Sequence, residues 1–379
     1  MHSYLILIVS MGVLVNVSSS CLTQTGANGR CINIRKCQPV LKHTKSRLPL
    51  KFDNQLWNVY CGFEGSDPMI CCKESLIKLP EPQKNTKSPE TVSNDSHPKL
   101  KLLDHKMCGP IAADPKIYGG SSTRIFEFPW MALLAYDDND NNFQFNFRCG
   151  GTIINKNYIL TAAHCVTNLP ENLNFVGVRV GEHDLTKEQD CEIYDNGAVH
   201  ICAEKYQDFE IEKIYPHPEY SSITLRNDIA LVRIRGRINF KSANVRPICL
   251  PLDTASRTMG KTALITGWGS TEDGYSISNI LLQVQLPILS STVCRRTYRD
   301  QPFVKLWHKQ ICAGGVKAKD SCTGDSGGPL QSVSIYKGEA RVVQQGVVSF
   351  GRKNCAVKGS PGVYTSVAHY VDWILDTIE

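Results

Sequence analysis

The sequence lacks the features that are typical of several common classes of protein. Its net charge of +6 is mild and spread out, without a dense Lys/Arg block, which argues against nucleic acid as the main partner. Beyond the N-terminus, no apolar run is long enough to span a bilayer. No C-x-x-C pair has a matching second pair, so the cysteines do not indicate zinc. The chain also lacks an internal repeat of the solenoid type.

The N-terminus carries one short apolar stretch, residues 4–17, followed by serines. It is too short and too close to the start for a spanning helix, so residues 1–20 are predicted to be a secretory signal peptide, with a membrane anchor as the alternative. Secretion agrees with the 16 cysteines of the chain, since disulfides persist in oxidising compartments.

Composition divides the remainder of the chain. Residues 21–72 are dense in cysteine, and so short a segment needs disulfides because it cannot bury enough apolar surface. The next residues are rich in Pro, Lys, Ser and Asn, and Asn94 begins a glycosylation sequon there. The sequence therefore predicts a linker over residues 73–116 and a second domain over residues 117–379.

From residue 117 onward, short β-branched and aromatic runs alternate with turns made of Gly, Asn, Asp and Pro. Many short strands at such spacing predict an all-β sandwich or barrel. The C-terminus differs, because apolar residues recur there at helical spacing, and a terminal helix should pack on the β structure. These residues are Val367, Tyr370, Val371, Ile374, Leu375 and Ile378.

Three residues in separate motifs have the chemistry of a nucleophilic site. Ser326 lies in Gly-Asp-Ser-Gly-Gly-Pro, where glycines expose the hydroxyl and let the N–H groups of Gly324 and Ser326 converge on an oxyanion. A serine needs a base, for which His164 is the candidate, and the base needs an orienting acid, for which Asp228 is the candidate. Each of these three residues alone could have a structural role. Together, in the order His, Asp, Ser along the chain, they predict a catalytic triad.

Residues 117–379 resemble the chymotrypsin/trypsin family over their whole length. The resemblance rests on the three triad motifs and on Ile117-Tyr118-Gly119-Gly120, Pro129-Trp130, Cys149-Gly150-Gly151, Thr266-Gly267-Trp268-Gly269 and Pro361-Gly362-Val363-Tyr364. It implies two packed six-stranded antiparallel β-barrels, with the active site in the cleft between them and no cofactor for catalysis. Phe350 and Tyr118 depart from the Trp and Val that are usual in the family.

The resemblance also implies a substrate pocket. Asp320 precedes the nucleophile at the position of the pocket floor, where a buried carboxylate would pair with Arg or Lys of the substrate. Ser349, Gly351 and Gly362 match the sides of the pocket. The family comparison thus implies an endopeptidase that cuts after basic residues, and the alternative for Asp320 is a surface turn.

Ile117 does not begin the chain, so the resemblance implies a zymogen. Cleavage of the Lys116–Ile117 bond would release an α-amino group, which in the family pairs with the aspartate before the nucleophile, here Asp325. That ion pair would order the pocket and the oxyanion loop. Lys116 implies an activating protease of trypsin-like preference.

Residues 21–72 resemble the clip domain of arthropod proteases, chiefly through Cys61-Gly62 and Cys71-Cys72. A growth-factor-like or Kunitz-like module is the alternative, and six cysteines alone leave their connectivity open. The two resemblances together imply disulfides that use every cysteine of the chain: Cys21–Cys71, Cys31–Cys61, Cys37–Cys72, Cys108–Cys249, Cys149–Cys165, Cys191–Cys202, Cys294–Cys312 and Cys322–Cys355.

A clip domain before a trypsin-like domain implies a secreted enzyme of an arthropod haemolymph cascade, in prophenoloxidase activation and melanisation or in Toll-pathway innate immunity. Its partners would be a protein substrate (a protease zymogen, prophenoloxidase or a Spätzle-like precursor), an activating protease and a serpin inhibitor. One alternative is a catalytically inactive clip-protease homologue acting as a cascade cofactor, which the intact triad opposes. The other is a digestive trypsin, which the clip module and the linker oppose.

Residues 181–190 match the calcium loop of the family. Glu182 and Asp190 would supply carboxylates, and Asp184 and Lys187 would supply backbone oxygens. The resemblance therefore implies a structural calcium ion, with a solvated acidic loop as the alternative.

Overall fold

The computed structural model describes residues 20–22, 28–33, 60–64, 67–73, 97–111, 121–138, 146–194, 199–269, 277–301, 304, 306–316, 324–351 and 359–379. Its contacts divide the chain into two compact units, Met1–Glu90 and Thr91–Glu379. Several predicted features lie outside the described residues, namely the signal peptide up to residue 19, Cys37, Asn94, Lys116, Ile117, Asp320, Cys322 and Cys355.

The first unit contains a four-stranded antiparallel sheet in the order β1-β2-β4-β3. Its strands are β1 (Ser20–Leu22), β2 (Asn28–Asn33), β3 (Tyr60–Glu64) and β4 (Asp67–Lys73). Cys71 and Cys72 are buried and, like Cys31, are disulfide-bonded. The pairing among the six cysteines of this unit stays a prediction. Disulfides substitute here for the apolar core that so few residues cannot build.

The first nine strands of the second unit include six that form a closed antiparallel barrel. The strands in chain order are β5 (Ser121–Ser122), β6 (Met131–Asp137), β7 (Asn146–Ile153), β8 (Tyr158–Thr161), β9 (Asn174–Val180), β10 (Cys191–Tyr194), β11 (Val199–Cys202), β12 (Gln207–Pro216) and β13 (Ala230–Ile234). The barrel closes in the order β12-β13-β8-β7-β6-β9, while β10 and β11 form a separate hairpin. The barrel lies at the centre of the largest apolar core of the described chain.

A second barrel follows, made of β14 (Thr262–Gly267), β15 (Leu282–Leu289), β16 (Gln310–Gly314), β17 (Pro329–Tyr336), β18 (Glu339–Phe350) and β19 (Pro361–Ser366). These strands pair in the order β14-β17-β18-β19-β16-β15, and pairing of β14 with β15 closes the barrel. Strand β5 adds to the outer edge of β15. The prediction of two six-stranded antiparallel barrels is confirmed.

Two α-helices accompany the barrels. Helix α1 (Ser291–Thr297) begins at Ser290, whose hydroxyl accepts a hydrogen bond from the Val293 N–H, as an N-cap residue should. Helix α2 (Val371–Thr377) confirms the predicted terminal helix, and Val371, Ile374 and Leu375 bury its apolar stripe. Within the described residues, the helices are too short to cross a membrane.

Buried side-chain hydrogen bonds join the two barrels. The indole N–H of Trp130 donates to Gln331 Oε1 over 2.7 Å, and Gln331 Nε2 donates to the Thr266 hydroxyl. The Thr152 hydroxyl donates to Gln344 Oε1 over 2.6 Å. Each such bond contributes about 1 kcal/mol net, but removal of one partner would strand a buried polar group at a cost of about 1–3 kcal/mol. The cleft between the barrels is therefore held in one register.

Residues 97–111 are packed within the second unit, although their neighbours have linker composition. A 3₁₀ helix, Pro98–Leu102, and the residue after it bury Leu100 and Leu103 in the core of this unit. His97 Nε2 lies 3.1 Å from a carboxylate oxygen of Asp376, beside α2. The domain boundaries stay a prediction. The structure adds that residues 97–111 of the predicted linker have a buried apolar face.

Four of the expected disulfides lie among the described residues, and they join the pairs that the family resemblance implies. They are Cys108–Cys249, Cys149–Cys165, Cys191–Cys202 and Cys294–Cys312. The first ties residues 97–111 to the barrels across 141 residues of sequence, so the attachment is covalent as well as apolar.

Candidate active site

His164 and Asp228 meet at one end of the first barrel. His164 lies in a single 3₁₀ turn, Ala163–Cys165, directly after β8, and Asp228 lies just before β13. These strands are neighbours in the barrel, so their ends are brought together. His164 Nδ1 lies 2.8 Å from Asp228 Oδ2, and the His164 backbone N–H donates to Asp228 Oδ1 over 2.9 Å. The carboxylate thereby fixes both the ring and the backbone of the histidine.

Asp228 is fully buried, and a buried carboxylate is costly unless hydrogen bonds satisfy it. Besides His164, the Ser349 hydroxyl donates to Asp228 Oδ2 over 2.5 Å. The Thr365 hydroxyl donates to the Asp228 carbonyl over 2.8 Å. Both donors belong to the second barrel, so this barrel helps to hold the acid of the first. The sequence placed Ser349 at the pocket and missed its bond to Asp228.

The pKa of His164 reflects two opposing causes. Burial of the ring lowers the pKa, but the negative charge of Asp228 and its hydrogen bond outweigh burial, and the pKa is raised above the ordinary histidine value. The Asp228 carboxylate thus stabilises the imidazolium that forms when His164 accepts a proton. This is the electrostatic requirement of a general base paired with a serine.

Ser326 lies in the turn that leads into β17, against the first barrel. The Gly150 N–H donates to the Ser326 carbonyl over 2.8 Å, which joins the turn to β7. Gly327 has φ 79°, and a Cβ there would lie 2.2 Å from the Thr161 hydroxyl, so only glycine lets the turn approach β8 this closely. The turn therefore lies beside the strand whose end carries His164.

The side chains of Ser326 and His164 are not directly hydrogen-bonded in the structure. Catalytic hydrogen bonds are often long before a substrate is bound and tighten in the complex. The structure thus joins His164 and Asp228 by direct bonds and places the Ser326 turn against β7 and β8, while the role of the three residues as a triad stays a prediction.

Asp325 occupies a close-fitting recess beneath the Ser326 turn. The Gly269 N–H donates to Asp325 Oδ1 over 2.9 Å. A Cβ at Gly267 would lie 2.1 Å from Asp325 Oδ1, and one at Gly269 would lie 2.3 Å from Oδ2. The glycines of the Thr-Gly-Trp-Gly motif therefore leave room for the Asp325 side chain in this position. The predicted pairing of Asp325 with an amine at Ile117 is not tested, because that residue lies outside the described chain.

The predicted pocket residues Ser349, Gly351 and Gly362 lie at adjoining ends of β18 and β19, where Phe350 pairs with Val363. The site of a Cβ on Gly351 is open, with nothing within 4 Å. The ring of Phe350 packs edge-on against Tyr298, with centroids 5.8 Å apart. The predicted floor residue Asp320 is outside the described residues, so the substrate pocket stays a prediction.

The predicted calcium loop contains two neighbouring buried carboxylates. Glu182 Oε1 and Asp190 Oδ2 accept hydrogen bonds from the same amide, the N–H of His183, over 2.9 and 3.1 Å. Burial and the charge of Asp190 raise the pKa of Glu182, and burial likewise raises the pKa of Asp190. Arg179 offsets part of this charge through a 3.2 Å contact with Glu182 Oε2.

The backbone oxygen of Asp184 already accepts a hydrogen bond from the Lys187 N–H over 2.9 Å, so the backbone ligands that the resemblance implies stay a prediction. The Asp184 carboxylate is occupied by the Thr186 hydroxyl and by Lys187 Nζ at 2.8 Å. Its side chain is therefore engaged within the loop. The chemistry of the remaining donors, two crowded carboxylates of raised pKa, fits a hard cation.

Comparisons with known proteins agree with this geometry. The family described as Trypsin matches residues 117–374, and the family described as Regulatory CLIP domain of proteinases matches residues 21–72. The chain belongs to the clip-domain serine proteases of the trypsin family. The clip family accounts for the cysteine-dense first unit, and the trypsin family accounts for the two barrels.

Similar clip proteases span nearly the whole chain. Phenoloxidase-activating enzyme 1 of Spodoptera litura is 38% identical, over 95% of this chain and 94% of that protein. Melanization protease 1 of Drosophila melanogaster is 35% identical, over 94% and 92%. The crystal structure of the Drosophila Grass clip serine protease of the Toll pathway matches with a TM-score of 0.64 at 32% identity, covering 95% of this chain and 97% of that one.

Proposed function

We propose that this protein is the secreted zymogen of a trypsin-like serine endopeptidase that cuts after Arg or Lys. The observation that carries the proposal is the Ser349–Asp228–His164 hydrogen-bond chain beside the Ser326 turn. A buried acid that fixes a histidine next to a partly exposed serine is the arrangement that activates a serine nucleophile.

In this mechanism Ser326 Oγ attacks the scissile carbonyl while His164 Nε2 takes its proton. His164 then gives that proton to the leaving amine, and Asp228 holds the imidazolium through Nδ1. The N–H groups of Gly324 and Ser326 stabilise the oxyanion. A water molecule repeats the cycle to release the acyl group. No cofactor takes part.

Specificity and activation follow from the family resemblance. Asp320 would form the floor of the pocket and pair with the basic side chain of the substrate. Cleavage of Lys116–Ile117 by an activating protease would deliver the new amine to Asp325, which lies in the glycine recess next to the oxyanion turn. A Lys116→Gln zymogen should resist activation by trypsin, whereas activation at the wild-type rate would mean that another bond is the trigger.

The relatives support a role in an arthropod haemolymph cascade. Their names refer to phenoloxidase activation, melanization and the Toll pathway. The protein would act on a protease zymogen, on prophenoloxidase or on a Spätzle-like precursor, under the control of a serpin. Residues 21–72 would form the docking clip domain, residues 73–116 the linker with Asn94 glycosylated, and residues 1–20 the signal peptide.

The loop around Glu182 and Asp190 would hold one structural calcium ion through those carboxylates and the backbone oxygens of Asp184 and Lys187. Calcium neutralises the two buried carboxylates and so stabilises the loop. Isothermal titration of chelator-stripped, folded protein should give binding heat with calcium and none with a Glu182→Gln, Asp190→Asn variant. Absence of heat with the unmodified protein would remove this part of the proposal.

Covalent labelling tests the enzyme itself. After activation, a fluorophosphonate probe should label the protein at Ser326, and a Ser326→Ala variant should stay unlabelled. The activated protein should also hydrolyse short peptides with Arg before the cut bond. An unlabelled, correctly cleaved protein would favour an inactive homologue that serves as a cascade cofactor.

A further inference from the structure

The turn that follows strand β5 is held by a side chain from a distant hairpin. The Ile125 N–H donates to Glu192 Oε1 over 2.9 Å. Glu192 belongs to β10, whose hairpin with β11 is closed at its base by the Cys191–Cys202 disulfide. A hydrogen bond to an ionised carboxylate is about twice as strong as one between neutral groups. Glu192 therefore joins the hairpin to the segment that follows the predicted activation bond.

The backbone of this turn is strained. Phe126 has φ 70°, a left-handed conformation that is unfavourable for a residue with a bulky side chain. The turn is closed by the Glu127 N–H, which donates to the Arg124 carbonyl over 3.3 Å, and by the Arg124 N–H, which donates to Glu127 Oε2 over 3.0 Å. Strained conformations persist only where their surroundings hold them, so the turn depends on contacts such as that of Glu192 with Ile125.

The hairpin is a firm support because its base is tied on both sides. The Ala203 N–H donates to the Asp190 carbonyl over 2.8 Å, just beyond the disulfide. Asn244 Nδ2 donates to the carbonyls of Gly181 and Glu204 over 2.9 and 2.8 Å, and so bridges the two ends of the whole loop. The carboxylate that reaches the turn therefore extends from a fixed base.

The position of β5 limits how far the new N-terminus can reach. Ser122 pairs with Leu282 of β15, and Leu282 pairs on its other side with Gly267 of β14. Gly267 borders the recess, since a Cβ there would lie 2.1 Å from Asp325 Oδ1. Two strand spacings, about 10 Å, thus separate β5 from the recess. Residues 117–120 span at most about 14 Å when fully extended, so the amine can meet Asp325 only while β5 keeps its place.

Thr123 connects β5 to the strained turn. It is buried, and its N–H and hydroxyl both donate to the Leu281 carbonyl, over 3.0 and 2.8 Å. Only Arg124 separates Thr123 from Ile125, the residue that Glu192 holds. A displaced turn would therefore pull directly on the contacts that keep β5 on β15.

We propose that Glu192 is a positioning residue for activation: by holding the strained turn at residues 124–127, it keeps β5 where the new amine can reach Asp325. The inference rests on the proposed activation at Lys116–Ile117 and adds a residue to it. Glu192 acts through the turn, so its loss should release the inserted N-terminus and leave the rest of the fold intact.

Carbamylation of the new amine tests the proposal in the full chain. The zymogen is cleaved at Lys116 with trypsin and treated with cyanate, and mass spectrometry follows the modification of the Ile117 amine, which ion pairing with Asp325 protects. The same protein in denaturant gives the rate of an unprotected amine. In Glu192→Ala the Ile117 amine should react about ten-fold faster than in the wild type. Glu192→Gln keeps a neutral oxygen acceptor, so its rate should rise only about two- to three-fold.

A matched control separates this contact from a general effect of charge. Glu204→Ala removes the same charge from an exposed residue beyond the other strand of the hairpin, and it should leave protection unchanged. The thermal midpoint of uncleaved Glu192→Ala should lie within about 4 °C of the wild-type value, as expected for the loss of one hydrogen bond. If that variant does not fold, Glu192→Gln decides, and a rate equal to that of the wild type overturns the positioning role.

The outcomes also separate the positioning role from the activation on which it rests. A protected wild-type amine with equal rates in wild type and Glu192→Ala overturns the role of Glu192 and leaves activation intact. An equal rise in Glu204→Ala overturns it as well, because charge alone would then explain the effect. A wild-type amine that reacts as fast as in denaturant contradicts both the activation scheme and the role of Glu192.

Discussion

The two barrels build their halves of the candidate active site in different ways. The first barrel supplies His164 and Asp228, joined by side-chain and backbone hydrogen bonds of 2.8 and 2.9 Å around a carboxylate with no solvent exposure. The second barrel supplies Ser326 and Asp325, positioned by backbone contacts so close that glycines must make room. The first half depends on buried charge and its partners, and the second depends on backbone shape.

This difference implies different weak points. When a donor, an acceptor or a charge is removed from the hydrogen bonds to a buried carboxylate, the polar group that remains is left without a partner and the site is destabilised. A close backbone approach fails when a single carbon atom is added, because packed interiors have no spare volume. Polar substitutions should therefore damage the first half, and Gly→Ala substitutions should damage the second.

The largest effect should come from the charge of Asp228. Asp228→Asn keeps the shape but removes the charge and offers His164 the wrong hydrogen-bond partner, so kcat should fall by about 10⁴-fold. Activity of the activated protein on a short Arg peptide gives the measure, with an unchanged thermal midpoint as evidence of folding. A loss below ten-fold would show that His164 does not depend on this acid.

A methyl group in the Asp325 recess should have the next largest effect. In Gly269→Ala the Cβ would lie 2.3–2.6 Å from the Asp325 carboxyl group, so this side chain must turn away and lose its hydrogen bond from the residue-269 N–H beside the oxyanion turn. Loss of oxyanion stabilisation should lower kcat by about 10²-fold. Gly260→Ala is the matched control, since the nearest atom to its Cβ is 3.9 Å away. Equal activities of the two variants would contradict the role given to backbone shape.

Ser349→Ala tests a contact between the two barrels, because Ser349 belongs to the second barrel but donates a hydrogen bond to the acid of the first. Loss of its hydrogen bond to Asp228 leaves a buried carboxylate oxygen with one partner fewer, at a cost of about 1–2 kcal/mol, or roughly ten-fold in kcat. KM should stay unchanged if Ser349 acts through Asp228. A rise in KM with constant kcat would instead restrict Ser349 to the pocket. Ser291→Ala, on exposed α1, is the control.

Local motifs made part of this site predictable from the sequence. The segments around His164, Asp228 and Ser326 each encode their own turn, so reading a few adjacent residues identifies them. The Ser349–Asp228 bond joins residues 121 positions apart and depends on how β18 meets the first barrel, which no local pattern records. The burial of Leu100 and Leu103 was missed for a related reason, because it depends on packing into the core of the second unit and not on the composition of the surrounding linker.

The smallest expected effect is on the pH dependence of activity, and it distinguishes the contributions of the two halves of the site. His164 must be neutral to accept the serine proton, and Asp228 raises its pKa above the ordinary histidine value despite the opposing effect of burial. Activity should therefore fall as pH drops through that raised pKa, with the acid limb in kcat/KM displaced upward from the position set by an ordinary histidine. Because Gly269→Ala alters only the backbone recess of the second barrel, it should lower the plateau of the profile and leave the midpoint of the limb in place. Ionisation of His164 is thus set by Asp228, which Ser349 of the second barrel also supports, whereas transition-state stabilisation is set by the Ser326 turn. A shifted limb in Gly269→Ala would mean that the turn also affects the pKa of His164.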